Sequence, residues 1–120
     1  MQNNKGRNLI VDLSFEFALA IVKYAESLET NRRYIIARQL FRSGTSIGAN
    51  VREAQNAESK ADFVHKLKIA AKEADETEYW LLLCKKSEGY AHCDTLIDNC
   101  SSIIKVLSKI IASSKTKLSH

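Results

Sequence analysis

The chain has 120 residues, which corresponds to one domain that is long enough to bury a core of its own. Hydrophobic residues make up 45% of the sequence and charged residues 27%, which excludes a disordered chain, and the absence of proline permits long helices. No apolar run approaches the roughly 20 residues that cross a bilayer, and residues 1–8 lack the apolar segment of a signal peptide, so we expect a cytoplasmic protein without membrane contact.

The first helix is predicted over residues 9–29, where apolar residues recur at spacings of three and four. The second helix is predicted over residues 33–57. Its middle, residues 42–50, is rich in serine and glycine and has low helix propensity. We nevertheless expect it to stay helical, because the apolar stripe continues from Leu40 to Ile47 without a change of phase.

The third helix is predicted over residues 60–87, with Ser59 as its N-cap and Gly89 as the residue that ends it. The fourth is predicted over residues 93–113 and is followed by a frayed tail from Ser114. Its apolar stripe steps by four, three, four and three residues: Leu96, Cys100, Ile103, Leu107 and Ile110. Four long helices with short connections predict an all-α fold, an antiparallel up-and-down four-helix bundle in a single domain over residues 1–120.

Between Thr30 and Arg52 the chain has five arginines and no acidic residue, although the formal net charge of +4 is modest. At 100° per residue, the arginines within the second helix lie opposite its apolar stripe. Arginine and lysine displays of this kind bind phosphate backbones largely without reading sequence. The alternative is a solvated helix face whose charges are balanced by acids that are nearby in space. The candidate nucleic-acid-binding residues are Arg32, Arg33, Arg38, Arg42, Arg52, Lys66, Lys68 and Lys72.

Gly44 and Gly48 are one turn apart on the second helix, a spacing that lets another backbone approach closely. The approaching backbone belongs either to another helix of the bundle or to a second subunit. We group Asn50 and Glu53 with the two glycines as residues of a helix-packing or oligomer interface.

The sequence contains no recognisable metal or catalytic centre. Cys84, His92, Cys93 and Cys100 are metal-binding residue types, but they lack the paired spacing of a zinc site, and Cys100 is predicted to be a buried thiol. The serine and threonine side chains of residues 43–46 have no nearby histidine to activate them. We therefore expect no metal, no cofactor and no enzyme activity.

A cluster of carboxylates inside the bundle is a further candidate site: Glu53 on the second helix and Glu73, Glu76 and Glu78 on the third. A di-iron bundle would also need Glu-x-x-His pairs on two helices, and the sequence has none. Glu78 is unusual because it falls near the middle of the apolar face. It either pairs with a lysine or an arginine, or closes a polar network with Ser43, Ser46 and Asn50.

The run from Tyr34 to Ala54, with its Ser-Ile-Gly-Ala-Asn core at residues 46–50, resembles the signature of a bacterial family. This family comprises the four-helix bundle proteins that are also called 23S ribosomal RNA intervening-sequence proteins. Residues 17–19 and 76–81 are similar to the family as well, so the likeness covers about residues 9–112.

The resemblance implies an antiparallel four-helix bundle that assembles as a homopentameric ring. Some family members are encoded inside insertions within ribosomal RNA genes, which implies an association with RNA. A similar bundle, the accessory variability protein of diversity-generating retroelements, forms a basic pentamer that engages a reverse transcriptase and nucleic acid.

Two hypotheses of function follow. In the first, the chain is a non-enzymatic, oligomeric protein that binds RNA through the basic face of its second helix. In the second, it is a protein-interaction scaffold whose arginines contact other subunits or a partner such as a reverse transcriptase, and nucleic acid has no part.

Overall fold

The computed structural model describes the backbone of residues 5–118 and the side chains of residues 9–115. Its four helices are α1 (Lys5–Thr30), α2 (Tyr34–Ala54), α3 (Lys60–Lys86) and α4 (Asp94–Leu118). Both α1 and α3 pack against α2 and α4, so the helices surround one core in a body of 51 × 21 × 21 Å. The predicted antiparallel four-helix bundle is confirmed. None of the described helices is both long and apolar enough to cross a membrane.

The helix ends differ from the prediction by a few residues. α1 begins at Lys5. The prediction placed its start at residue 9, because the preceding residues are polar and show no apolar periodicity. α2 ends at Ala54, and the next three N–H groups donate to carbonyls three residues back, as in many last helical turns. α4 continues to Leu118, so the predicted fraying is wrong for residues 114–118, which contain no glycine or proline to end the helix.

The start of α3 is capped as predicted. The hydroxyl of Ser59 accepts a hydrogen bond from the backbone N–H of Asp62 at 3.0 Å. Such a cap stabilises a helix by about 1 kcal/mol. Beyond the other end of α3, Gly89 has φ +82°, a conformation that glycine adopts without the clash of a Cβ atom. The prediction that Gly89 ends α3 is wrong, because Ser87 is the C-cap and Gly89 lies in the turn that follows it.

Apolar stripes from all four helices form the core. Among the largest fully buried side chains are Ile10, Ile21, Leu28, Leu40, Ile47, Leu67, Leu81, Ile103 and Leu107. Burial of one such side chain contributes roughly 1.5–3 kcal/mol. Leu82 of α3 is 42% exposed, because its neighbour Leu81 takes the inward position and successive helical residues differ by 100°.

The serine- and glycine-rich middle of α2 is continuous helix, as predicted, because its small residues are packing sites. A Cβ atom on Gly48 would lie 3.2 Å from the carbonyl oxygen of Ser14, so α1 and α2 approach closely here. Ser43 is fully buried, and its hydroxyl oxygen lies 2.9 Å from that of Thr77 on α3. The expectation that Glu78 closes this polar network is wrong, because Thr77 occupies the inward position and Glu78 is half-buried beside it.

Candidate nucleic-acid interface

The arginines of α2 do not share one environment. Arg38 is exposed and lines a depression of about 300 Å³ between α1 and α2, together with Glu26, Glu29 and Phe41. Arg52 lines a second depression between the same helices, of about 170 Å³. These two guanidinium groups therefore lie on the side of α2 that adjoins α1.

Arg42 lies on the other side of α2, where it contacts α3. Its guanidinium group donates to Glu73 at 3.3 Å and forms a second, close ion pair with Glu76. The same Glu76 carboxylate accepts a hydrogen bond from the indole N–H of Trp80 at 2.9 Å. The charge of Arg42 is therefore balanced by acids that are nearby in space, which was the alternative to nucleic-acid binding.

The lysines of α3 are likewise separated from one another. Lys66 forms an ion pair with Glu53 at 3.2 Å and so connects α3 to the end of α2. Lys68 instead adjoins Lys115 on α4, whose ammonium group lowers the pKa of Lys68. Lys72 is exposed. The eight candidate residues consequently form several small groups around α2 and α3.

Arg32 and Arg33 occupy the turn between α1 and α2. Arg32 has φ 62°, in the left-handed region that residues other than glycine and asparagine seldom adopt. The guanidinium group of Arg33 stacks over the ring of Tyr90, 4.6 Å from its centroid, in the connection between α3 and α4. The candidate binding residues predicted from the sequence do not include Tyr90 or Trp80. The topology does place them here, because in an antiparallel bundle the start of α2 and the end of α3 lie at the same end.

Exposed apolar side chains follow the boundary between α1 and α2. Phe15 is 55% exposed, Leu19 50% and Phe41 49%. Phe15 lines the depression that contains Arg52, and Phe41 and Val22 line the one that contains Arg38. We call Phe15, Val22 and Phe41 the α1–α2 face; Leu19 lines neither depression. Clustered exposed apolar residues are typical of surfaces that contact another protein.

The four residues expected at a packing or oligomer interface all make contacts within one protomer. Gly44 and Gly48 lie against Ile21 and Ser14 of α1. The side-chain amide of Asn50 donates to the carbonyl oxygen of Ser46 at 2.9 Å. Glu53 forms the ion pair with Lys66 described above.

The three cysteines are buried, reduced thiols. Cys84 and Cys93 adjoin the phenol of Tyr24, and burial raises the pKa of Cys84 to about 11. Burial raises the pKa of Cys100 to about 12, and the carboxylates of Glu78 and Asp75 add to that effect. Within the described residues, no three histidine, cysteine or acidic side chains are grouped so as to hold a metal ion. Of the four carboxylates expected inside the bundle, Glu73 and Glu76 are instead bound by Arg42, Glu53 is bound by Lys66, and Glu78 is half-buried.

Comparison with known proteins adds a family. A family model described as 23S rRNA-intervening sequence protein matches residues 7–110. A crystal structure from Bacteroides thetaiotaomicron, of a protein with unknown function from the S23 ribosomal protein family, is similar with a TM-score of 0.85. The two chains are 43% identical, and the similarity covers 89% of this chain and 98% of the other. No match was found among curated proteins.

Proposed function

We propose that this chain, which belongs to the family of 23S rRNA-intervening sequence proteins, is a non-enzymatic cytoplasmic protein that binds RNA as an oligomer. The observation that carries the proposal is the charge on α2 and on the turn before it. Of the five arginines between Thr30 and Arg52, only Arg42 forms an ion pair with a residue that the structure describes. The charge of the other four is not neutralised by direct contact with a described carboxylate.

Guanidinium groups without acidic partners bind phosphate through charge-assisted hydrogen bonds. Arg38 and Arg52 are fourteen residues apart on α2, which corresponds to about 21 Å at 1.5 Å per residue. One protomer thus offers few phosphate contacts, and its affinity should be weak and sensitive to salt. Repetition of the surface in an oligomer raises the overall affinity, because later contacts become intramolecular.

The α1–α2 face supports self-association as the second part of the proposal. Its two phenylalanine side chains are half-exposed in the protomer, and contact with another copy would remove them from water. The homopentameric ring implied by the family resemblance is the assembly that we propose. Light scattering on the purified chain measures the subunit number directly.

The RNA part is tested by fluorescence anisotropy with a labelled RNA that has both a hairpin and unpaired ends. We expect binding at micromolar protein in 50 mM salt, weakened at least tenfold by 200 mM salt. Arg38→Gln with Arg52→Gln should weaken it further. The matched control is Lys105→Gln with Lys109→Gln, which removes two exposed charges of α4. Absence of binding in low salt, or equal losses in both double variants, would contradict the proposal.

A second candidate function is the protein-interaction scaffold. It is favoured by one observation: Arg38 and Arg52 line depressions whose other walls are partly apolar, as arginines at protein interfaces commonly do. In that case Arg38→Glu with Arg52→Glu dissociates the oligomer, or abolishes capture of a protein partner such as a reverse transcriptase. Unchanged light scattering together with lost RNA binding favours the first function. Dissociation of a protein that never bound RNA favours the second.

A further inference from the structure

One end of the bundle carries a groove that combines arginine with aromatic side chains. It lies where the start of α2 meets the end of α3 and the connection to α4. Its volume is about 450 Å³, within the roughly 300–1,000 Å³ that small-molecule sites occupy. We call it the end groove. The residues used below are Arg32, Arg33, Tyr34, Trp80 and Tyr90.

The first half of the end groove is positively charged. α2 begins without a side-chain cap and without an acidic residue in its first turn. The first backbone N–H of α2 bonded to a carbonyl of the preceding turn is that of Ala37, to Arg33, so the earlier N–H groups face outward with the positive end of the helix dipole. Arg32 and Arg33 add two guanidinium groups, and no described carboxylate pairs with either. This half can receive a phosphate group.

Arg33 has an unusual environment within the positively charged half of the end groove. Its guanidinium group lies between the Tyr90 ring and Gly89, where a Cβ atom would come within 2.9 Å of it. Its Nε atom is buried and has no hydrogen-bond partner among the described residues. A buried N–H of a charged group without an acceptor costs free energy.

The second half of the end groove is aromatic. Tyr34 is 47% exposed, and Trp80 and Tyr90 are half-buried against the core. The indole of Trp80 is held from two directions, because Glu76 accepts its N–H and the Tyr79 ring packs on it edge-to-face with centroids 5.4 Å apart. Aromatic rings held in this way are the usual stacking partners of unpaired RNA bases.

Two hydrogen bonds at the end of α1, from the N–H of Arg32 to Glu29 and from the N–H of Arg33 to Leu28, hold Arg32 in a left-handed conformation. Its φ of 62° costs less for glycine or asparagine than for arginine, so this residue is not the one that stability alone favours.

From these observations we infer that the end groove binds one unpaired nucleotide of an RNA chain, with its base against Trp80 and Tyr34 and its phosphate at Arg32 and the first turn of α2. The inference rests on the proposed RNA function and assigns that function a second, base-contacting site. A free nucleoside monophosphate has the same chemistry, and the test separates the two sources.

Trp80 is the only tryptophan of the chain, so its fluorescence reports on the end groove alone. The full-length protein is titrated with adenosine monophosphate, with a five-nucleotide single-stranded RNA, and with a blunt-ended RNA duplex. We expect the single strand to quench Trp80 at micromolar concentration, the monophosphate to quench it at least tenfold less tightly, and the duplex to leave it unchanged. Quenching by the monophosphate at equal or lower concentration would instead identify a free nucleotide as the ligand and overturn the RNA assignment.

Arg32→Asn removes the cation but keeps a residue that tolerates the backbone conformation. We expect this variant to unfold at the same or a higher temperature and to bind the single strand at least fivefold less tightly. Lys105→Asn, which removes an exposed charge of α4 outside the groove, is the matched control and should leave Trp80 quenching unchanged. Equal binding by Arg32→Asn and the wild-type protein would overturn the inference.

The two proposals fail in different ways. If the hairpin RNA binds in the anisotropy assay but no RNA changes Trp80 fluorescence, the end groove is not a nucleotide site and the RNA function stands. If neither RNA binds in either assay, the RNA function fails and this inference fails with it.

Discussion

A Cβ atom placed on Gly44 would lie 2.8 Å from Cγ2 of Ile21, a separation that real Cβ atoms essentially never show. The nearby Ile21 atoms include its Cβ, at 3.2 Å, which is attached directly to the backbone of α1. The side chain therefore cannot relieve the clash by moving only its far end. α1 and α2 can pack at their present separation only with glycine at position 44.

We expect Gly44→Ala to lower the free energy of unfolding by about 1–3 kcal/mol. The overpacking cost outweighs the gain of about 1 kcal/mol in helix propensity. Urea unfolding followed by circular dichroism measures the change. On an Ile21→Ala background the added methyl group has more room, so the same substitution should cost much less. An equal cost in both backgrounds would show that this contact is not the cause.

The buried hydroxyl pair between α2 and α3 should be similarly sensitive. The Thr77 hydroxyl lies 2.9 Å from that of Ser43 and 2.7 Å from the carbonyl oxygen of Glu73. Since threonine has one hydroxyl hydrogen, both contacts are used when Ser43 donates to Thr77 and Thr77 donates to the carbonyl. Thr77→Val should therefore destabilise by about 1–3 kcal/mol, because it leaves Ser43 buried without that partner. Ser43→Ala together with Thr77→Val should cost less than the sum of the single changes in urea unfolding.

The ion pairs of Arg42 should contribute little to stability but should determine the environment of Trp80. About half of the Arg42 side chain is exposed, so Arg42→Gln should lower the free energy of unfolding by at most about 1 kcal/mol. The loss should shrink in 1 M salt, where surface charges are screened. Glu76 remains bonded to Trp80 but loses its cation, so the emission maximum of the tryptophan should shift. Arg38→Gln, with no ion pair to lose, should change neither quantity.

Stability should fall at alkaline pH because of the buried thiols. Burial raises the pKa of Cys84 from 9.0 to about 11, so the folded chain keeps this proton while the unfolded chain loses it. The contribution is complete below pH 9 and is lost as pH rises towards 11, with a magnitude on the order of 1–3 kcal/mol. Chemical unfolding between pH 8 and pH 11 should show this decline. Cys84→Ala should show a shallower one, and identical slopes in the two proteins would contradict the assignment to Cys84.

Most of the fold could be predicted from local patterns, because each helix shows its buried side as a repeat of three and four residues. In α2, the unbroken apolar stripe from Leu40 to Ile47 correctly predicted a helix, although the helix propensity of residues 42–50 is low. The same approach failed for Glu78, because a helical position that differs by one residue, Thr77, differs by 100° in direction.

The contacts of the candidate site were less predictable, because they join residues that are far apart in the sequence. The acids that neutralise Arg42 are 31 and 34 residues away in sequence, and periodicity does not specify which side of one helix faces which side of another. The association of Arg33 with Tyr90 joins two turns that only the completed bundle brings together. Such pairs follow from the packing of helices and not from any single segment.

The two glycines of α2 affect which mutations disturb function as well as how the helices pack. Both contact α1, so α2 has a single rotational setting about its own axis, and that setting determines where each outward arginine points. A mutation at either glycine would thus redirect the arginines that line the neighbouring depressions. Loss-of-function variants of this protein should therefore include positions that no ligand contacts. A map of such variants should include the side of α2 that packs against α1 as well as its outer surface.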